Sequence, residues 1–171
     1  MASVPATETG IAAEEISIPA LLRAARGSYG HAIRFQLRAA GFEDMPRNGP
    51  YVLGGLVNHA GSAADLVRQL GVSKQAASQL IDTLVIRGYL ERQADPADRR
   101  RVAIEVTERG RAAAAAVSAG IEAVDSELAG LITPAQLAGL RAGLIGLCTI
   151  RERLEDEARA ALLEADEAAQ S

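Results

Sequence analysis

Five polar residues share one side of a helical segment that begins near residue 73. They are Ser73, Lys74, Gln75, Ser78 and Gln79. A helix that enters the major groove of DNA needs short polar side chains near its N-terminus, because these approach base edges and donate to phosphates, and glutamine pairs bidentately with adenine. The same face would also suit the solvated side of an ordinary surface helix. The chemistry it offers is base and phosphate recognition.

Three consecutive arginines, Arg99, Arg100 and Arg101, follow within a polar segment that contains a proline. Arginines on a protruding loop enter the minor groove or hold phosphate oxygens. Asp98 lies two residues before Arg100, so we expect a carboxylate to hold one arginine and leave the others free. The alternative is an ordinary exposed charged turn, but two recognition-type groups so close together favour contact with nucleic acid.

The elements around these residues have clear local signals. Ser62 and Asp65 open a short helix as a variant of the capping box, and Gly71 provides a turn. Ser73 caps a second helix, Gly88 ends it, and residues with strand-like alternation follow on both sides of the arginines. The predicted elements are helices 62–70 and 74–87 and strands 89–93 and 101–106.

Helical patterns also flank this region. Apolar residues at spacings of three and four predict a helix over 17–40 and a short buried helix over 51–60. Thr107 caps an Ala-rich helix to about Gly130, and Thr133-Pro-Ala-Gln136 begins a last helix that reaches about Glu164. The predicted fold class is mainly α with a small β-hairpin, a winged helix-turn-helix flanked by N- and C-terminal helices.

The last helix carries a long apolar stripe, formed by Leu137, Leu140, Leu144, Leu147 and Ile150. This is more apolar surface than a terminal helix needs against a small domain, so it predicts a homodimer interface. Residues 18–37 would supply the other half. The alternative is that the stripe packs within its own chain.

The bulk composition limits the class of protein. The chain has 171 residues and a net charge of −4, which argues against nonspecific coating of nucleic acid. Residues 62–111 nevertheless hold nine basic against seven acidic residues. The absence of a long apolar run and of a secretory pattern predicts a cytoplasmic protein with no membrane contact. The single cysteine, Cys148, excludes an intrachain disulfide.

These motifs together resemble the MarR family of bacterial transcription regulators. The similarity lies in Asp95-Pro-Ala-Asp-Arg-Arg-Arg101 followed by Val102-Ala-Ile-Glu-Val-Thr-Glu-Arg-Gly110. Leu66-Val-Arg-Gln-Leu-Gly-Val-Ser73 and Leu84-Val-Ile-Arg-Gly-Tyr-Leu90 match as well. The resemblance spans about residues 18–157 in the expected element order.

The resemblance implies a homodimer that binds a pseudo-palindromic double-stranded DNA operator, usually as a repressor released by a small anionic or phenolic effector or by thiol oxidation. It places the recognition role on residues 73–79, the paired wing Asp and Arg on Asp98 and Arg100, and groove entry on Arg99 or Arg100. The implied organisation is a disordered arm at 1–15, one domain at 16–165 and a frayed tail at 166–171. Within the domain, 16–40 and 108–165 are dimerisation helices and 51–106 is the DNA-binding lobe.

Effector chemistry is less defined by the sequence. The family's ligand region would draw on His31, Arg34, Tyr51, His59 and also Arg38. Arginine could hold a carboxylate, and histidine titrates near neutral pH. Each of these residues could instead be an ordinary packed or solvated side chain.

Cys148 is the residue on which a redox-responsive regulator would depend. Redox sensing needs an accessible thiolate of low pKa. Cys148 follows Leu147 within the predicted dimer stripe, so we expect a buried and inert thiol.

Enzymatic classes lack their signatures in this chain. The two histidines have no HxxxH or HExxH spacing, and there is no GxSxG elbow or phosphate-binding glycine loop. We therefore expect no catalytic residues, no metal and no cofactor. The remaining rival is a helical oligomerisation or protein-interaction module, which would not bind DNA in a salt-sensitive way.

Overall fold

The computed structural model describes residues 16–58, 73–94 and 102–169. Within these ranges the elements are α1 (Ile18–Ala39), α2 (Gly49–Asn58), α3 (Lys74–Ile86), β1 (Leu90–Ala94), β2 (Val102–Val106), α4 (Glu108–Leu131) and α5 (Pro134–Ala169). The predicted fold class, mainly helical with one small β-ribbon, is confirmed. The expected arm at 1–15, the helix at 62–70 with its Gly71 turn, and the tip between the strands lie outside the described residues.

The chain divides into two compact units, Met1–Asp125 and Ser126–Ser171. The organisation as one domain over 16–165 stays a prediction. The described core residues all lie in the first unit, and most apolar side chains of α5 are exposed. The helix α5 also continues to Ala169, beyond the expected start of a frayed tail at 166, because its last residues are Ala, Leu, Glu and Asp, mostly good helix formers.

The buried core lies where α1, α2, α3, β1 and the first half of α4 meet. Its members are Ile33, Leu37, Val52, Leu53, Leu84, Tyr89, Leu90, Ala113, Ala114, Ala116 and Val117. Small residues on α4 allow close packing against α1: a Cβ built on Gly120 would lie 2.7 Å from the Ile33 Cα. The small residues of α4 therefore let its backbone approach α1 closely, and its many alanines also favour the helix.

Two expected apolar faces are less buried than their patterns predict. On α1, Ile33 and Leu37 are buried, but Leu21 and Leu22 in its first half are exposed. On α2, Val52 and Leu53 are fully buried, while Val57 is 49% exposed because it lies in the last turn, past the residues that the core covers. The periodicity predicts which side of a helix is apolar, but not how far along the helix that side is covered.

The ribbon is a two-stranded antiparallel sheet with a simple register. Leu90 pairs with Val106 and Arg92 with Ile104. Leu90 belongs to the core, and Ile104 and Val106 pack against it. The alternation of apolar and polar residues in β2 thus places one face of the ribbon on the body of the first unit, as period-two patterning predicts.

A glycine determines how the chain leaves α3 for the ribbon. Gly88 has a φ of +72°, a left-handed conformation that side chains disfavour. The Gly88 amide donates to the Val85 carbonyl, and the Tyr89 amide donates to the Leu84 carbonyl at 2.9 Å. This Schellman arrangement ends α3 and turns Tyr89 directly into the core.

The Thr-x-x-Gly sequence at 107–110 connects the ribbon to α4. The Thr107 hydroxyl donates to the Gly88 carbonyl at 2.6 Å and accepts from the Gly110 amide at 2.9 Å, which caps α4. The Thr107 amide donates to the Tyr89 carbonyl at 3.1 Å. Gly110 is buried against that same carbonyl, since a Cβ at position 110 would lie 2.1 Å from the Tyr89 oxygen.

Substituting alanine for Gly110 is therefore expected to destabilise the protein. The added methyl group would force apart the start of α4 and the Tyr89 backbone, an overpacking effect that costs about 1–3 kcal/mol or more of unfolding free energy. The matched control is Gly54→Ala in α2, where nothing lies within 4 Å of a built Cβ. Urea unfolding measures both variants, and an equal stability of the two would contradict this packing account.

Candidate nucleic-acid interface

The start of α3 is held by its own N-cap. Ser73 has extended backbone angles, and its hydroxyl accepts from the Ala76 amide at 3.2 Å. This satisfies one of the free amides of the first turn and leaves the positive end of the helix dipole in place. The predicted cap at Ser73 is confirmed by this hydrogen bond.

The outward face of α3 is polar and accessible. Gln75, Ser78 and Gln79 are exposed, and the short Ala76 between them is exposed as well. Lys74 is the first residue of the helix. On the opposite side Leu84 is fully buried, and Ala77, Leu80 and Ile81 pack against the core. The core thus fixes the rotation of α3 so that Gln75, Ser78 and Gln79 face solvent together.

An ion pair joins α3 to the ribbon. Arg92 on β1 donates to the Asp82 carboxylate, and both side chains are about half exposed. The sequence analysis did not single out Arg92. The pair neutralises the acidic group nearest the polar face and ties the strand to the helix, so both would approach a ligand in one fixed relation. No short sequence pattern reveals a pair between a helix and the next strand.

A polar cluster around Asp44 connects the end of α3 and the start of α4 to the loop that follows α1. The Tyr89 hydroxyl and the Arg109 guanidinium both donate to the Asp44 carboxylate, the latter at 2.9 Å. Arg87, at the end of α3, donates to the Asp44 backbone carbonyl. Arg109 also lies over the rings of Phe42 and Tyr89, with 5.4 Å and 4.7 Å to the ring centres.

The protonation of this cluster reflects its contacts. The hydrogen bond from Tyr89 is the largest effect and lowers the pKa of Asp44. Burial opposes it, and Arg109 lowers the pKa further, so that the pKa is lowered on balance. Burial, followed by the hydrogen bond to Asp44, raises the pKa of Tyr89. Asp44 is therefore an anion and Tyr89 a neutral hydrogen-bond donor across the neutral range.

Several predicted contact residues lie outside the described part of the chain. These are Asp98, Arg99, Arg100 and Arg101 of the wing tip and His59 of the expected effector region. Their roles stay predictions. Ala94 and Val102, the described residues on either side of this segment, pair with each other in the ribbon.

The expected effector residues divide between two places. Arg34 and Tyr51 line one cleft of about 730 Å³ between α1, the following loop and α2, and Arg38 lines it as well. His31 instead lines a separate, shallow depression on another side of α1, together with Phe35. The two side chains are three residues apart on α1, about 60° around its axis, and line different depressions. The sequence did not single out Arg23, Arg26 and Arg47, which also line the cleft.

The predicted dimer stripe is accessible in the single chain. Leu140, Leu144, Leu147 and Ile150 are between 39% and 46% exposed, while Leu137 is half-buried. Cys148, expected to be buried within this stripe, is exposed in the chain by itself. Burial of the thiol therefore does not arise within one chain, because the apolar side chains beside it are themselves uncovered.

Two other kinds of site are absent from the described residues. Within 16–58, 73–94 and 102–169, no three His, Cys, Asp or Glu side chains come together as a metal site requires. In the same ranges, no helix has the length and apolar character needed to cross a membrane.

Comparison with known proteins gives a family match and a set of similar structures. Residues 43–101 match the model of the MarR family. The fold resembles Streptococcus pneumoniae FabT in complex with DNA, with a TM-score of 0.66, 20% identity, and coverage of 80% of this chain and 96% of that one. No curated protein matches the chain.

Two further structures share the fold at similar levels. One is the S. aureus MepR–DNA complex, with a TM-score of 0.64, 19% identity and coverage of 79% and 98% of the two chains. The other is Bordetella bronchiseptica BpsR, whose DNA binding is regulated by 6-hydroxynicotinic acid, with a TM-score of 0.59, 22% identity and coverage of 81% and 96%. At these identities the similarity establishes the fold.

The Asp44 cluster leads to a specific dependence of stability on pH. Because the pKa of Asp44 is lowered in the folded protein, its carboxylate contributes stability above the usual value of 3.8, and this is lost as the pH falls through the lowered value. We expect wild type to be more stable than Asp44→Asn at neutral pH, and the difference to vanish in acid. Urea unfolding across this range measures it, with the neighbouring exposed residue changed in Glu43→Gln as control. If the difference in unfolding free energy between wild type and Asp44→Asn did not change with pH, the role of the Asp44 charge would be contradicted.

Proposed function

We infer from the match of residues 43–101 to the MarR family model that this chain is a DNA-binding transcription regulator of that family. We propose that it acts as a homodimer on a pseudo-palindromic operator. The dimer represses its target, and a small effector releases it.

The observation that carries the proposal is the polar face of α3. Its side chains Gln75, Ser78 and Gln79 are exposed, its N-terminus is capped by Ser73, and a β-ribbon follows directly. In a recognition helix these positions would read base edges in the major groove, with glutamine suited to adenine. Lys74 and the helix N-terminus would hold phosphates beside the bases.

The ribbon would contribute a second contact next to the first. The sequence between its two strands contains Arg99, Arg100 and Arg101, and Asp98 would hold Arg100 in position while the neighbouring arginines reach the minor groove or the phosphates. The ion pair between Asp82 and Arg92 supports two neighbouring contacts, because it holds the ribbon beside α3. Affinity for phosphate and selection of bases would then come from adjacent but separate groups.

The homodimer is supported by apolar surface that one chain leaves exposed. The stripe of α5, Leu137, Leu140, Leu144, Leu147 and Ile150, would pack against a second copy, together with the first half of α1, where Ile18, Leu21 and Leu22 are exposed. Large exposed apolar patches on a soluble protein are typical of interaction surfaces. A two-fold dimer would place two copies of α3 about one DNA turn, roughly 34–36 Å, apart.

Effector release is supported by the cleft that contains Arg34 and Tyr51. BpsR has a similar fold, and its DNA binding is regulated by 6-hydroxynicotinic acid, a small aromatic acid. An effector in the cleft of this chain would contact α1 and α2, which share a core with α3. His31 lies outside this cleft, so the proposed effector contacts are Arg34 and Tyr51, with Arg38 beside them. His59, which lies outside the described residues, stays a predicted contact.

The test is a DNA-binding assay on the full chain with its own upstream intergenic DNA at two salt concentrations. Wild type should shift this fragment in preference to unrelated DNA, and light scattering should find two chains in the complex. Ser78→Ala and Gln79→Ala should each cost about 1–3 kcal/mol of specific binding and little nonspecific binding. Arg99→Ala with Arg100→Ala should weaken binding to every fragment and flatten the salt dependence.

The matched control is Ser126→Ala, which makes the same serine-to-alanine change at an exposed position of α4. It should leave both the shift and the salt dependence unchanged. Absence of any sequence preference under low-salt conditions would reject the regulator function. A shift that Ser78→Ala, Gln79→Ala and Ser126→Ala affect equally would remove α3 from the recognition role.

A further inference from the structure

The cleft between α1 and α2 is strongly basic. Its charged lining consists of Arg23, Arg26, Arg34, Arg38 and Arg47 against the single acid Glu43. Four of the five arginines lie on α1, and that helix contains no Asp or Glu. The cleft volume of about 730 Å³ is within the range of small-molecule sites. The charge thus concentrates where a small ligand would fit.

These guanidinium groups have no acidic partner among the described residues. Among the residues that the structure describes, none of the five forms an ion pair; the pairs present join other residues, such as Arg109 with Asp44 and Arg92 with Asp82. Arg23 with Arg26, and Arg34 with Arg38, also lie three and four residues apart on one helix, a spacing at which like charges repel. An anion in the cleft would relieve this repulsion.

The cleft also has apolar walls and open space beside the charges. Ile33, Leu37, Phe42, Met45 and Tyr51 line it. Gly27 and Gly30 line the cleft within α1. A Cβ at Gly30 would lie 3.2 Å from Arg34 Nη1, so the absence of a side chain leaves space for that guanidinium. Arg26 lies over the Tyr51 ring at 5.8 Å from its centre. Charged groups are therefore held next to flat apolar surface.

We propose that this cleft binds an apolar, ring-bearing molecule that carries at least two negative charges, such as an aryl phosphate, rather than a simple monocarboxylate. A net excess of four positive charges is poorly neutralised by one carboxylate. Arginine matches the oxygens of phosphate with two parallel hydrogen bonds. The inference deepens the effector part of the proposed function and rests on it for the biological role, but ligand binding itself is measured without DNA.

The experiment is calorimetric titration of the full chain with phenyl phosphate, benzoate and phenol. These three probes share one ring and differ in charge, near −2, −1 and 0 at slightly alkaline pH. The expected order of affinity follows the charge, with phenyl phosphate at least about tenfold tighter than benzoate and more sensitive to salt. Equal affinity for phenyl phosphate and benzoate, or no binding of phenyl phosphate, would overturn the proposal.

Variants locate the binding in the cleft. Arg26→Gln and Arg34→Gln should each weaken the binding of phenyl phosphate by about tenfold and change the binding of phenol little. Arg159→Gln is the matched control, because it removes the same charge from a side chain that is 75% exposed on α5, and it should change nothing. An equal loss of affinity for phenyl phosphate in all three variants would show a general effect of net charge and would overturn the assignment of the site to the cleft. Circular dichroism of each variant verifies the fold.

Two further outcomes separate this inference from the proposed function. If phenyl phosphate binds as expected while no DNA shift occurs, the site stands and the regulator function fails. If the upstream DNA shifts while the charge series shows no preference, the function stands and the site fails. If duplex DNA competes with phenyl phosphate and Arg34→Gln weakens DNA binding equally, the cleft is part of the DNA surface and the small-ligand site is rejected.

Discussion

The buried junction at Tyr89 is the constraint on which the rest of the first unit depends. Its ring fills the core, its hydroxyl donates to Asp44, and its carbonyl accepts from Thr107. Gly110 packs against that carbonyl so closely that no side chain fits. One residue therefore joins the end of α3, the start of the ribbon, the start of α4 and the loop after α1. The orientation of the polar face of α3 relative to the ribbon follows from this junction.

Local signals made much of the fold predictable from the sequence. Ser73, Thr107 and the box of Thr133 with Gln136 begin helices by hydrogen bonds over three residues, so helix starts were predicted closely. The junction was not predictable, because Tyr89 and Asp44 are 45 residues apart and neither belongs to a local pattern. The exposure of Val57 likewise depends on what covers a helix, which periodicity does not encode.

The candidate sites show the same limit. The polar face of α3 could be predicted because its residues are consecutive on one helix. The basic cleft could not, since it combines one face of α1 with Arg47 from the next loop and Tyr51 from α2. The sequence identified Arg34 and Tyr51 but grouped them with His31, which the helix directs into another depression. Helical rotation of a few residues decides which side chains share a site.

The chain also carries features that a single copy leaves unsatisfied. Apolar side chains of α5 and of the first half of α1 are exposed, and the arginines of α1 have no acidic partners among the described residues. A second chain would cover the first set, and an anion would neutralise the second. Both would act through helices outside α3, so assembly and ligand binding could alter the spacing of two recognition helices without changing the recognition side chains themselves.

Selection of binding sites from a pool of random DNA duplexes by the purified chain tests the central claim most directly. The account predicts enrichment of a two-fold symmetric sequence whose half-sites are centred about 10 base pairs apart, the separation of successive major grooves on one face of DNA. Enrichment of a single unsymmetric site, or of no sequence, would contradict recognition by two copies of α3 held at a fixed spacing.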